Sequence, residues 1–306
     1  MSRQSTIERV LGAGAGAARM TAAMAGDLAS FVDPRDANGR GADDPFGAWD
    51  PTYIRQTLPA LRMFADVYHR AEVRGLGNVP EKGPVLLVGN HSGGTLIADT
   101  FVFAQAFYDH FGPLRRFHQL AHDLVFKIPG ARASLSRYGT VPASPENMER
   151  ALDLGAALLV YPGGDHETYR PSWESAKIDF AGRTGFVRLA LEHRTPIVPV
   201  VAIGGQETAL FLGQGRQIAE LLRLDRLLRV KVFPAQIGPP YGVTVMDLPG
   251  RIPLPAKITV RALPKIDLHE RLGPDADVDE AYDIVTSTMQ RALDKLDEER
   301  SLPVVG

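Results

Sequence analysis

Pro84-Val85-Leu86-Leu87-Val88-Gly89-Asn90-His91-Ser92-Gly93-Gly94 is the stretch that decides the fold. An unbroken apolar run that stops at a glycine-rich turn reads as a buried β-strand, and it delivers an imidazole to the strand's end. Ala156-Ala157-Leu158-Leu159-Val160 followed by Tyr161-Pro162-Gly163-Gly164-Asp165-His166-Glu167 repeats the arrangement. Two strand ends, one carrying His91 and both followed by a carboxylate (Asp99 and Glu167), are the makings of an acid/base site.

Outward from these strands the pattern alternates. A short strand is expected at Glu72–Arg74, a helix after Gly94, a helix over Gly182–Glu192 and a strand over 197–203. Strands apolar throughout, separated by helices, predict an α/β fold: a single domain with a mostly parallel central sheet flanked by helices. A helix is expected from Tyr53 to His69, kinked or restarted at Pro59. Residues 206–229 read as largely helical, 230–233 and 257–260 as strands, and the proline-rich stretch between those two as an excursion. Val278, Tyr282, Val285, Met289, Leu293 and Leu296 recur at helical spacing and predict a C-terminal amphipathic helix over 276–299. The expected organisation is an N-terminal helical and loop extension over 1–50, an α/β domain over 51–275, and a C-terminal helix within 276–306 packing on it.

Composition narrows the function classes. Lys and Arg number 34 against 36 Asp and Glu, so the overall charge gives no support to a nucleic-acid partner. The absence of cysteine excludes disulfides, thiolate metal sites and a Cys nucleophile. No apolar run reaches the length of a membrane span, and the small-residue stretch Val10–Ala25, with Arg19 inside it, lacks the apolar core of a signal peptide. The expected location is cytoplasmic.

The motifs resemble those of the PlsC-like glycerolipid and lysophospholipid acyltransferases over roughly residues 55–265. Glu72-Val73-Arg74-Gly75-Leu76-Gly77-Asn78-Val79-Pro80 and the strand into Asn90-His91 match that family's first motif with its lead-in. Tyr138-Gly139-Thr140-Val141-Pro142 sits where its second motif falls, Tyr161-Pro162-Gly163-Gly164 replaces Phe-Pro-Glu-Gly, and Pro196-Ile197-Val198-Pro199 matches the fourth. The resemblance implies transfer of a fatty acyl group from acyl-CoA, or an acyl carrier protein, to a lipid hydroxyl. His91 would be the base, with no acyl-enzyme, no metal and no cofactor beyond acyl-CoA as co-substrate. It implies substrate contacts at Asn90, Ser92, Gly93, Gly94, Tyr138, Gly139, Tyr161, Pro162, Gly163, Gly164, His166 and Arg170. With no spanning helix, access to a lipid acceptor implies peripheral attachment to a membrane surface.

Two departures bear on mechanism and substrate. The family's His-X4-Asp spacing is broken, because position 96 is Leu and the aspartate is Asp99. One continuous helix would place His91 and Asp99 about 12 Å apart in rise. A Ser92-Gly93-Gly94 loop would let Asp99 fold back, and Glu167 competes as the group that orients His91. In the third motif, Gly163 and His166 stand where phosphate-selecting members carry Glu and Arg. Arg170 or Arg137 could substitute, or the acceptor carries no phosphate; the residues leave both open.

Other constellations invite separate readings. His118 and His122, four apart, would share a helical face, either as metal ligands or as ordinary packing. Ser92 is one residue short of a hydrolase elbow, and its glycines suggest a turn whose amides approach the thioester oxygen. Arg115, Arg116, Lys127 and Arg132 among apolar residues suit coenzyme A phosphates or anionic headgroups, or form a solvated helix face. The competing classes are a lipid- or acyl-CoA-binding protein that has lost the chemistry, and a thioesterase.

Overall fold

The computed structural model describes residues 44–94, 97–123, 125–127, 131–213, 215, 234–245, 247, 251–300 and 302. The expected N-terminal helical extension falls mainly on residues 1–43, outside the described residues.

Ten strands are described: β1 (Glu72–Arg74), β2 (Val85–Gly89), β3 (Phe117–Ala121), β4 (Thr140–Pro142), β5 (Ala157–Val160), β6 (Ile197–Ile203), β7 (Leu210–Gly213), β8 (Ala235–Gly238), β9 (Gly242–Val245) and β10 (Thr259–Ala262). Seven form the central sheet in the order β1-β10-β6-β2-β5-β3-β4. Strands β6, β2, β5, β3 and β4 run parallel, whereas β10 pairs antiparallel with β6 and carries β1 parallel to itself. The sheet is therefore mostly parallel, as expected.

Strand β2 is buried at all five positions because both faces are covered. Leu86, Val88, Leu158, Val160, Ile197 and Val201 share one core with α6 (Gly185–Glu192) and α8 (Val278–Glu298). Val85, Leu87, Ala157, Leu159, Val198 and Val200 share the opposite core with α1 (Pro51–Arg62) and α2 (Ala98–Phe111). The C-terminal helix is capped by Asp277, whose carboxylate accepts from Asp279 N and Glu280 N at 2.8 and 2.9 Å. It buries Val285, Met289, Leu293 and Leu296.

Several expectations need correction. Pro59 lies inside α1 and the helix does not restart there; the chain continues as a π-helical turn over Met63–Tyr68. His118 lies on strand β3 rather than on a helix, so the four-residue spacing to His122 has no helical meaning. The His118 ring is buried, with Nδ1 2.9 Å from Gly139 O. Residues 205–213 form a 3₁₀ turn and β7 instead of a helix; the remainder of that expected helix, from 216 on, and the expected strand over 230–233 lie outside the described residues. The proline-rich excursion holds a hairpin, β8–β9, which with β7 makes a separate antiparallel sheet in the order β7-β8-β9. Two residues of the basic cluster are engaged within the protein. Arg115 donates to Gly155 O, Pro80 O and Gly83 O, tying together loops at the amino ends of β2 and β5. Arg116 lies over the Trp49 ring.

Candidate active site

Strands β6, β2 and β5 are neighbours and parallel, so their carboxyl ends open side by side. Open parallel sheets place their ligand crevices at such ends, where successive connections leave to opposite sides. The chain after each strand carries polar residues: Asn90 to Gly94 after β2, Tyr161 to Glu167 after β5, and Gly204-Gly205-Gln206 after β6.

Asn90 continues the pairing with β6 through its side chain: Nδ2 donates to Ala202 O and Oδ1 accepts from Ala202 N, both at 2.8 Å. His91 follows, with its ring stacked on Tyr161 at 4.4 Å between centroids and 16° between planes. Tyr161 is held by Thr100, whose hydroxyl donates to the phenol oxygen at 2.7 Å. His91 as a whole keeps some solvent exposure, but its Nδ1 is buried without a hydrogen-bond partner. Burial of that ring edge, and secondarily the Arg170 charge, push the imidazole pKa down to about 3. At neutral pH the ring is uncharged and able to accept a proton.

Neither candidate carboxylate is hydrogen-bonded to that ring. Asp99, buried in the first turn of α2, accepts from Ser92 Oγ at 2.8 Å and from Thr100 N at 2.8 Å. The loop does bring Asp99 back toward the motif, but to Ser92 rather than His91. Burial raises the Asp99 pKa to about 6 against the opposing Ser92 and Thr100 hydrogen bonds. Glu167, in the short helix α5 (Gly164–Thr168), is fully buried and accepts the His91 main-chain N–H at 3.0 Å. Its other oxygen accepts from Asp179 N at 3.1 Å and pairs with Arg170 at 2.9 Å. Burial raises its pKa, with Arg170 and the two amides opposing.

The Tyr-Pro-Gly-Gly sequence acquires a physical reason here. A Cβ on Gly163 would lie 2.2 Å from Glu167 Cγ and 2.3 Å from Oε2, so the missing side chain leaves the space that the Glu167 carboxylate fills. Gly94 is equally constrained: its φ is +70°, and a Cβ would meet Asp247 Oδ2 at 2.3 Å. The amides expected to face the thioester oxygen are engaged elsewhere. Gly93 N donates to Gln206 Oε1 at 3.1 Å and Gly94 N to Thr168 O at 3.2 Å.

Arg170 is also engaged. It is buried, and its guanidinium meets Glu167 O at 3.0 Å, His91 O at 3.3 Å, the Glu167 carboxylate, and Lys177 O. Arg183 donates to Pro162 O, Gly163 O and Asp165. His166 pairs with Asp179 at 2.9 Å and, with Glu167, Arg170 and Lys177, lines a cleft of about 310 Å³. Tyr138 and Gly139 precede β4, at the amino end of a strand three places from β2, and so about 14 Å across the sheet. The Tyr138 hydroxyl meets Thr57 of α1. These two residues hold the fold's edge and are not part of the cluster around His91, because β4 runs parallel to β2 and opens its other end toward the crevice.

Gln206 and Arg251 escaped the sequence reading. Gln206 Nε2 donates to Arg170 O at 2.5 Å while its oxygen accepts from Gly93, joining two loops. The Gly-Gly after β6 is the same strand-end signal that marks β2 and β5, and it could have identified Gln206. Arg251 donates to Gly93 O at 2.7 Å and Thr208 O at 3.1 Å and pairs with Asp247 at 2.8 Å. Nothing local in the proline-rich sequence announces it. Among the described residues no cluster of three or more His, Asp or Glu could hold a metal, and no helix is long and apolar enough to cross a membrane.

The chain is 30% identical over 284 residues to an uncharacterized protein of Mycobacterium tuberculosis, covering 91% of this chain and 75% of that one. It is 30% identical over 238 residues to the DGAT1/2-independent enzyme synthesizing storage lipids of Bos taurus, covering 73% of this chain and 67% of that one. Among solved structures, the 1-acyl-sn-glycerophosphate acyltransferase PlsC of Thermotoga maritima is similar at 17% identity and a TM-score of 0.49, over 82% of this chain and 80% of that one. The sequence profile of the Acyltransferase family matches residues 70–203, the span that contains both strand-end motifs, and the chain belongs to the PlsC-like acyltransferases.

Proposed function

We propose that this chain transfers a fatty acyl group from acyl-CoA, or an acyl carrier protein, to the hydroxyl of a lipid acceptor. The observation that carries the reading is His91: an uncharged imidazole at the carboxyl end of β2, stacked on Tyr161 and anchored through its main chain to Glu167. His91 takes the acceptor's hydroxyl proton as the oxygen attacks the thioester carbonyl carbon. The tetrahedral intermediate collapses with cleavage of the C–S bond, and the proton passes from His91 to the departing thiolate. Direct attack is supported by the absence of cysteine and by Ser92, which is buried with its hydroxyl donated to Asp99. Glu167 acts as a positioning residue, holding the His91 main chain, and Asp99 as one that fixes the loop through Ser92.

A neutral acceptor, such as an acylglycerol or a long-chain alcohol, fits the site better than a lysophospholipid. Of the two cations that could have gripped a phosphate, Arg170 is buried and bonded to Glu167 and three carbonyls, and Arg137 lies over the Tyr53 ring. The Bos taurus relative, named for synthesizing storage lipids, points the same way. The acceptor's poor solubility in water makes peripheral attachment to a membrane surface part of the same reading.

The test is thiol release from palmitoyl-CoA with lysophosphatidate, a lysophospholipid, monoacylglycerol, diacylglycerol or a long-chain alcohol as acceptor, in wild type and His91→Ala. The expected result is release that needs a neutral acceptor and disappears in the variant. Release without any acceptor makes the chain a thioesterase. Silence from folded wild type across several donors makes it a binding protein.

A further inference from the structure

The small sheet β7–β8–β9 has two unlike sides. Phe211 is fully buried and Gln236 nearly so, whereas Leu210, Leu212, Ile237, Val243 and Val245 are exposed, Val243 at 71%. Register places Leu210, Ile237 and Val243 in one row across the three strands, with Val245 opposite Ala235 in the next. The three strands, Leu-Phe-Leu-Gly, Ala-Gln-Ile-Gly and Gly-Val-Thr-Val, contain no charged residue. Sheets that face water protect their edges with charge, so an aliphatic, uncharged outer face marks a surface built for something other than water.

We propose that this face docks on a lipid bilayer, an inference that rests on the reading of the chain as a lipid acyltransferase. Three further observations identify the bilayer as occupant. Trp173 is 68% exposed in a turn tied to β7, since Ser172 Oγ accepts the Phe211 N–H at 2.9 Å, and Tyr241 is exposed at the β8–β9 hairpin tip. Trp and Tyr are the side chains that settle at the headgroup boundary. In sequence, residues 214–233 between β7 and β8 hold Arg216, Arg223, Arg226, Arg229 and Lys231 against Glu220 and Asp225, a net positive charge of the sign that anionic headgroups attract.

The third observation is the sheet's other side. Phe211 lies where a Cβ on Gly94 would meet its ring at 2.9 Å, and Arg251 packs toward the Phe211 ring while bonded to Gly93 O. The sheet thus stands directly on the loop that carries His91. Docking through its outer face sets the crevice at the lipid surface, where a water-insoluble acceptor enters without crossing solvent.

The experiment is flotation with vesicles of phosphatidylcholine containing one-third phosphatidylglycerol, comparing full-length wild type with Leu212→Asp/Val243→Asp. Both changes are at exposed positions, and a thermal melt checks that the fold is kept. Turnover of palmitoyl-CoA with a short-chain, water-soluble alcohol is measured in parallel, which separates failure of docking from failure of the acyl-transfer reading. The expected result is that wild type floats, the variant's partitioning falls at least about tenfold, and the two turn over the soluble acceptor equally. Equal flotation of both proteins, or none by wild type, overturns the proposal. So does a wild type that sediments as a dimer and a variant that sediments as a monomer, because a second copy then covers the face.

Discussion

Asp99 offers a measurement in which the sign as well as the size follows from the structure. Its carboxyl is buried, and burial lifts its pKa from the ordinary 3.8 to about 6 against the hydrogen bonds from Ser92 and Thr100. Between those two values the unfolded chain has lost this proton while the folded chain keeps it. Stability therefore falls as pH rises from about 4 to about 6 and is level above. At 1.36 kcal/mol for each pH unit, the ionised carboxylate costs roughly 3 kcal/mol at pH 8. Asp99→Asn keeps the shape: its carbonyl oxygen accepts from Thr100 N, and its NH₂ donates to Ser92 Oγ once that hydroxyl turns. Urea unfolding should show the variant up to about 3 kcal/mol more stable than wild type at pH 8 and indistinguishable at pH 4. In a chain of this size the gain corresponds to a melting shift of about 5–10 °C. A variant less stable at pH 8, or equally more stable at both pH values, would refute the reasoning, since the charge would then be held by partners stronger than its burial.

Glu167→Ala removes the partner of buried Arg170 and the acceptor of two main-chain N–H groups, so denaturant unfolding should report a loss of about 3–5 kcal/mol; Glu167→Gln, which keeps one accepting oxygen, should lose less. A loss under about 1 kcal/mol in the alanine variant would mean that water replaces the carboxylate, and Glu167 would not be positioning His91. The pH profile of kcat/KM tests the imidazole. With its pKa near 3, His91 stays unprotonated across pH 5–8, so Asp99→Asn should show a level profile there. An acid limb near pH 6.5 in that variant would mean that His91 titrates as an ordinary histidine.

The parallel core was legible because its strands are covered on both faces. Val85–Val88, Ala157–Val160 and Ile197–Ile203 are continuous apolar runs, and each was located to within a residue. β3 was hidden, since His118 and Gln119 interrupt its run; His118 Nδ1 and Gln119 Nε2 find partners in Gly139 and Thr140 of the next strand's segment, while His118 Nε2 and Gln119 Oε1 are buried without one. The second sheet was hidden for the opposite reason. Its exposed side is aliphatic where alternation calls for polar residues, which erases the period of two.

For the candidate site, sequence alone determined which strand ends carry titratable side chains, because an apolar run closed by glycines fixes where a side chain leaves the sheet. That places His91 after β2 and Glu167 after β5 without reference to any other part of the chain. Which atoms meet was decided by tertiary structure. Asp99 turns to Ser92, Glu167 takes the His91 main chain through the space left by Gly163, and Arg170 closes on carbonyls rather than on a substrate. Arg251 reaches Gly93 from 158 residues away. Hydrogen bonds between loops depend on how three strand ends, a short helix and a distant hairpin are set against one another by their packing, and no local spacing encodes that.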